Sequence, residues 1–182
     1  PALKKSHMAG YNCSFVAVDD TRVFSEIAYI LMNGTGVGFS VERKSVEMLP
    51  SIPEIIVDSE EKFIVGDSRE GWSSGINFLI ENLYQGRSPV FDFSEVRPAG
   101  ARLKTFGGRA SGPEPLEQLF AFTLNIFKGA AGRRLNPLEV HDIVCEIGSV
   151  VVSGGVRRSA LISLSDLTNP EMANAKSGAW WE

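Results

Sequence analysis

Cysteine is nearly absent from this chain of 182 residues: Cys13 and Cys145 are the two, far apart and without CxxC spacing. That excludes a disulfide scaffold and a thiolate zinc site. Histidine is equally scarce. Neither His7 nor His141 has a Ser, Cys or Asp partner at a recognisable spacing, so a hydrolytic triad has no basis. Acidic residues are scattered rather than paired, and no metal site is expected. No apolar run approaches the roughly 20 residues of a membrane span, and no charged-then-apolar segment opens the chain. A membrane is therefore not an expected partner, and the expected location is cytoplasmic. Basic residues are not in excess: 18 Lys and Arg stand against 22 Asp and Glu, for a net charge of -4. A nucleic-acid polymer is not the expected partner. Any nucleotide partner should be a small molecule met at a local basic site. Repeats and low-complexity tracts are also missing.

What is present is enough for one domain with a real core: 43% of the residues are hydrophobic and 22% charged. Residues 11–18 (YNCSFVAV) alternate as a strand, and their apolar content predicts a buried one. Asp19, Asp20 and Thr21 then open a helix running to about Met32, with caps for its free N–H groups. Val23, Phe24, Ile27, Ile30 and Leu31 form its apolar face. Asn33-Gly34 ends it, Gly36 and Gly38 make a Gly-rich turn, and residues 39–41 read as a second strand. Residues 55–57 and 63–65 are candidate short strands separated by a charged turn. Residues 72–83 read as an amphipathic helix and 89–93 as a short strand. Residues 97–115 form a Gly- and Pro-rich loop carrying Arg97, Arg102, Lys104 and Arg109. Such a loop either wraps an anion or is a surface linker. Helices over 115–129 and from Pro137 to about Val152 follow, the second capped by Asn136. A short helix is expected from Pro170. Alternating strands and helices predict an α/β fold.

The chain is organised around residues 150–164, VVVSGGVRRSALISL. A helix end feeds Gly154-Gly155 and Arg157-Arg158, and an alternating strand follows. Glycine lets a ligand approach the backbone, and arginine offers a planar fork of donors for phosphate or a base edge. The loop is built to touch an anion or a nucleotide, or it is a plain turn with two solvated arginines. Cys13 is a redox or nucleophilic thiol, or a small buried hydrophobe. Cys145, mid-helix among Ile143, Val144 and Ile147, is expected in the core, with His141 on the exposed or capping face of that helix. His7 lies in a lead expected to be disordered.

Six segments carry a resemblance: YNCSFV, NGTGVGFSVE, DSREGW, VRPAGARLKTFGGRASGPEPL, HDIVCEIGSVVVSGGVRRSALISL and MANAKSGAWWE. Together they resemble the adenosylcobalamin-dependent (class II) ribonucleotide reductases, of the monomeric ribonucleoside-triphosphate type. The resemblance implies a ten-stranded α/β barrel, of which this chain is the first, five-stranded half. Residues 43–96 would be an inserted helical and loop segment that mimics a missing dimer partner. It implies thiyl-radical reduction of a ribonucleoside triphosphate, with adenosylcobalamin as cofactor, a dNTP effector and a thioredoxin-type reductant. Cys13 matches one cysteine of the redox pair, and Asn12 and Gly36 match substrate-contacting positions. Ser153, Gly154, Gly155, Val156, Arg157, Arg158 and Ser159 match the specificity loop between substrate and effector. Asp20, Thr21, Arg102 and Lys104 match effector-contacting positions. The radical cysteine, the second redox cysteine and most cobalamin contacts are expected beyond residue 182. Pro1 and Trp181-Glu182 are read as cuts in a longer polypeptide. The isolated chain is expected to be inactive and to self-associate through its open sheet edges. The competing reading is a non-catalytic dNTP-binding module.

Overall fold

Two parallel sheets of unequal size carry the strands. A computed structural model of the chain describes residues 6–103, 108–154 and 160–178. Strand β1 (Cys13–Ala17) leads through helix α1 (Val23–Met32) to β2 (Gly36–Ser40). A short helix α2 (Arg43–Val46) is followed by β3 (Val57–Ile64), helix α3 (Arg69–Tyr84) and β4 (Arg87–Asp92). Helices α4 (Glu114–Gly129) and α5 (Pro137–Ser153) come next, then β5 (Leu161–Leu164) and α6 (Pro170–Asn174). The order in the larger sheet is β1-β2-β5, all parallel, and β3 pairs with β4 in the smaller one. The expected single five-stranded sheet is therefore not what the described residues form. The β3–α3–β4 unit builds its own two strands instead of extending the first sheet.

Why α1 forms is plain from its spacing: Phe24, Ile27 and Leu31 recur on one face and are fully buried. Each such burial contributes about 1.5–3 kcal/mol. The expected cap differs. Arg22 occupies the N-cap without a side-chain capping bond, and Asp20 instead accepts from the Arg22 N–H at 2.8 Å. Helix α5 is capped as its sequence predicts, with Pro137 in the first turn. Asn136 Oδ1 accepts from the Glu139 N–H and Glu139 Oε2 from the Asn136 N–H, both at 2.8 Å. Aromatic rings around the small sheet pack onto the same core. Phe63 stacks on Phe78 at 4.8 Å, and Phe91 meets Phe120 at 4.4 Å.

Several expectations are corrected. Strand β1 is not buried: Phe15 is 60% exposed, because helices cover only one face of its sheet. The candidate strands at 55–57 and 63–65 are one strand, β3, whose charged centre is absorbed by a register irregularity between Asp58 and Lys62. An edge strand lets those charges stay in water. Gly36 and Gly38 lie within β2 rather than in a turn. Residues 7–10 form a 3₁₀ turn, tied down by Thr35 Oγ1, which donates toward Met8 O and Tyr11 O. Cys145 is exposed, and His141 is half-buried, so their expected roles exchange. The His141 ring stacks on Phe39 at 5.9 Å and its Nδ1 lies 3.0 Å from Ser163 Oγ. Among the described residues, no helix is long and apolar enough to cross a membrane.

Candidate functional site

The register of the larger sheet sets its open face. Cys13 pairs with Gly36, Phe15 with Gly38, and Gly38 with Ile162. Strand alternation puts these on one face, opposite the one that α1 and α5 cover. Phe15 and Ile162, 60% and 64% exposed, lean over Gly38: a Cβ there would sit 3.6 Å from Phe15 and 3.3 Å from Ile162. Beside this ridge the surface drops to small groups, Cys13, Gly36 and Ala160. Asn12 adjoins them, held by the Gly36 N–H donating to Asn12 O at 3.0 Å. Ser14 Oγ donates to Gly36 O on the other side. A Cβ on Gly36 would meet Ala160 O and Asn12 O at 3.6 Å, ordinary contact. Nothing in the packing of the described residues therefore demands glycine at 36.

A second site is a cleft of about 620 Å³ between the start of α3, the 97–112 loop and the end of α5. Arg69, Arg97 and Arg102 line it, with Asp67, Trp72 and Gly154. Arg97 Nε donates to Asp67 at 2.8 Å, and Arg69 Nη1 donates to Asn33 Oδ1. Arg102 has no side-chain partner among the described residues. Its backbone forms an isolated bridge with Arg109, which closes the loop on itself. Ser68 caps α3 by accepting from the Gly71 N–H at 2.9 Å, and Arg69 and Glu70 of the first turn line the cleft. Free N–H groups at a helix start plus guanidinium groups make a setting for an anion. The Trp72 ring lies 3.7 Å from where a Gly154 Cβ would stand, so the base of the loop rests on this wall.

A family profile described as "B12-dependent ribonucleotide reductase, insertion domain" matches residues 36–126. The chain belongs to the B12-dependent ribonucleotide reductases. An adenosylcobalamin-dependent ribonucleoside-triphosphate reductase of Lactobacillus helveticus is 30% identical over 84% of this chain and 26% of its own length. That of Euglena gracilis is 33% identical over 91% of this chain and 23% of its own. The crystal structure of a B12-dependent (class II) ribonucleotide reductase superposes with a TM-score of 0.79 at 25% identity, covering 93% of this chain and 31% of that one. The chain thus spans about a quarter of the length of the curated reductases it matches.

Within this reductase segment, the residues named from sequence fall into three places. Asn12, Cys13 and Gly36 meet at one end of the open sheet face. Arg102 and Gly154 meet in the cleft, and Ser153 closes α5 beside it. Asp20 and Thr21 do not join them. They sit before α1, whereas Met32, at its far end, lines the cleft, about 15 Å along the helix. The Arg22 guanidinium holds the Asp20 carboxyl below its usual range, so Asp20 is engaged locally. Lys104, Gly155, Val156, Arg157, Arg158 and Ser159 lie outside the described residues. Sequence reasoning missed Arg69 and Trp72. Trp72 reads as one more apolar position of a helix, and only the approach of its ring to Gly154, with α3 packed on α1 and α4, turns it into a cleft wall. Cys145 cannot pair with Cys13. It contacts His141, which stacks on the helix-covered face of the sheet, whereas Cys13 is on the open face.

Proposed function

We propose that this chain supplies one wall of the substrate pocket and most of the effector cleft of an enzyme that reduces ribonucleoside triphosphates to deoxyribonucleotides by thiyl-radical chemistry. The observation that carries the reading is the placement of the two ends of the 155–159 loop. Its entrance, Gly154, lines the arginine cleft, and its exit, Ala160, abuts Gly36 across the sheet, with the Val37 N–H donating to Ala160 O at 2.9 Å. Anchors at both sites are what a specificity loop needs. The cleft takes the triphosphate of a dNTP effector on Arg69, Arg102 and the start of α3, and Lys104 is assigned to the same effector. Asp20 and Thr21, at the far end of α1, serve a part of the effector distant from Arg102.

At the open face, Gly36 leaves room for the nucleotide and Asn12 supplies polar contacts. Cys13 is one of two thiols that together give up two electrons and close a disulfide as the 2′-hydroxyl leaves as water. A thioredoxin-type protein then reduces that disulfide. The second thiol comes from outside this chain, since Cys145 is on the wrong face. In the whole enzyme, adenosylcobalamin would supply the radical needed for turnover. The residues described here do not fit it. Arg69, Arg97, Arg102, Asp67 and Glu70 break up the apolar part of the cleft lining, so it offers no broad apolar wall of the kind a corrin needs. Residues 43–96, which include the β3–α3–β4 unit, form the inserted segment and bring Arg69 and Trp72 to the cleft. The remaining strands of the barrel cover the Phe15–Ile162 ridge, and a second copy of the segment can do so when it stands alone.

The test is deoxynucleotide formation from a ribonucleoside triphosphate with adenosylcobalamin and a thioredoxin-type reductant. The chain alone should be inactive. Extended to the length of its relatives it should turn over, and Cys13→Ser in that protein should abolish multiple turnovers. Wild-type turnover by the Cys13→Ser enzyme would refute the assignment.

A further inference from the structure

Asn33 stands where three segments meet. It closes α1, is 6% exposed, and has both ends of its amide engaged. Its Oδ1 accepts from Ser6 Oγ at 2.8 Å and from Arg69 Nη1 of α3, and its Nδ2 donates to Tyr29 O at 2.8 Å. A buried amide oxygen is costly to leave without its partners, so Asn33 and the guanidinium hold one another in place. Arg69 also lines the arginine cleft. A guanidinium carries five N–H donors in a planar fork, and among the described residues Arg69 uses one of them, on Asn33. The same group can therefore grip Asn33 on one side and an anion on the other.

From Asn33 the chain runs directly into the open sheet face. Gly34 turns it with a φ of +82°, Thr35 is fully buried, and Gly36 begins β2. Thr35 Oγ1 lies 2.9 Å from Tyr11 O, and the Gly36 N–H donates to Asn12 O at 3.0 Å. Arg69 in the cleft is thus joined to Asn12 and Gly36 on the face by hydrogen bonds and one short turn, through Asn33 and Thr35.

We propose that Asn33 is a positioning residue that carries occupancy of the arginine cleft to the substrate face, by a route separate from the 155–159 loop. A triphosphate in the cleft fixes the Arg69 guanidinium, and the fixed guanidinium holds Asn33 Oδ1. The end of α1 then holds the turn into Gly36 and, through Thr35, the backbone at Tyr11 and Asn12. Substrate meets a wall that is already ordered, so an anion in the cleft tightens its binding. By linkage, substrate tightens the anion by the same factor. This rests on the reading of the cleft as the effector site and of the open face as the substrate wall.

The experiment uses the full-length reductase without adenosylcobalamin, so that nothing turns over. Calorimetry measures its affinity for a ribonucleoside triphosphate with and without each dNTP in turn. The ratio of the two affinities is the coupling, ordinarily about 5–150-fold. Asn33→Ala should lower that ratio by about threefold or more. Asn33→Asp keeps the acceptor for Arg69 and Ser6 but loses the donation to Tyr29 O, and should retain the ratio. A residue that merely ends the helix would lose as much in both variants, and that result overturns the proposal. Arg69→Lys keeps a charge without the fork and should also lower the ratio. It decides the matter if Asn33→Ala fails to fold by circular dichroism. A ratio of one in the wild type, or an unchanged ratio in every folded variant, overturns the proposal as well. Arg102→Ala separates it from the reading beneath it. If that variant binds dNTP more weakly while Asn33→Ala leaves the ratio unmoved, the inference alone fails; if it binds dNTP as the wild type does, the effector reading and the inference fail together.

Discussion

Gly71→Ala tests the packing that shapes the mouth of the arginine cleft. Gly71 is in the first turn of α3 and its N–H donates to the Ser68 cap. A Cβ there would stand 2.3 Å from Gly66 O, 2.7 Å from Gly66 C and 2.9 Å from Gly66 Cα. All three are backbone atoms, so no side chain can rotate away. An ordinary contact needs the 66–68 segment to retreat by about 1 Å, and that segment carries Asp67 and Ser68, two residues of the cleft wall. Overpacking costs about 1–3 kcal/mol and disturbing the cap about 1 kcal/mol. Alanine in a helix returns about 1 kcal/mol relative to glycine. The net loss is about 1–3 kcal/mol, or a melting temperature lower by about 2–12 °C for a chain of this size. Gly129→Ala is the internal control. It sits at the last residue of α4 with nothing within 4 Å of the added methyl, and should be neutral or stabilising by up to about 1 kcal/mol. Urea unfolding followed by circular dichroism measures both. If the two substitutions shift stability in the same direction, the argument from backbone contact is wrong.

Three further outcomes are expected. Gly36→Ala should change stability by no more than about 0.5 kcal/mol, since its Cβ meets only ordinary contacts, yet lower turnover of the full-length reductase by about tenfold or more; a matched loss of stability and activity would make Gly36 structural. Asn136→Ala removes the side-chain bond of the α5 capping box, in which Asn136 Oδ1 accepts from the Glu139 N–H, and should cost about 1 kcal/mol in urea unfolding. Burial lowers the His141 pKa, so the folded state binds its proton less readily than the unfolded chain does. Stability from this group is complete above about pH 6.5 and falls as the pH drops below that toward the lowered folded value. Asp142, raised by burial, contributes with the opposite sign at lower pH. Melts between pH 7.5 and 5.5 should show a slope that His141→Gln flattens.

Periodicity made most of the elements legible. Apolar spacing located α1, α4 and α5, and Asn136 with Pro137 marked the start of α5 to the residue. The start of α3 was misplaced because its first turn, Arg69 to Gly71, carries no apolar signal and is held by the Ser68 cap instead. Strand β3 was split because the run from Ser59 to Lys62 looks like a turn when read locally. Its pairing with β4, some thirty residues on, is what keeps it extended. The candidate sites divide in the same way. Cys13, Gly36 and the arginines of the two loops could be named from residue chemistry and resemblance. Arg69, Trp72 and the role of Asn33 could not, since each acquires its meaning from a contact between elements.

What the sequence determined by itself was local and compositional: which segments are helical or extended, which residue types could meet a phosphate or give up a thiol proton, and the family. Tertiary structure decided which of those residues meet. Parallel pairing of β1, β2 and β5 brings Cys13, Gly36 and Ala160 to one end of one face, and the packing of α3 on α1 and α4 leaves Trp72 beside Gly154. The physical reason is that strand register and helix contact are settled by burial summed over the whole chain, and no local stretch of sequence contains that sum.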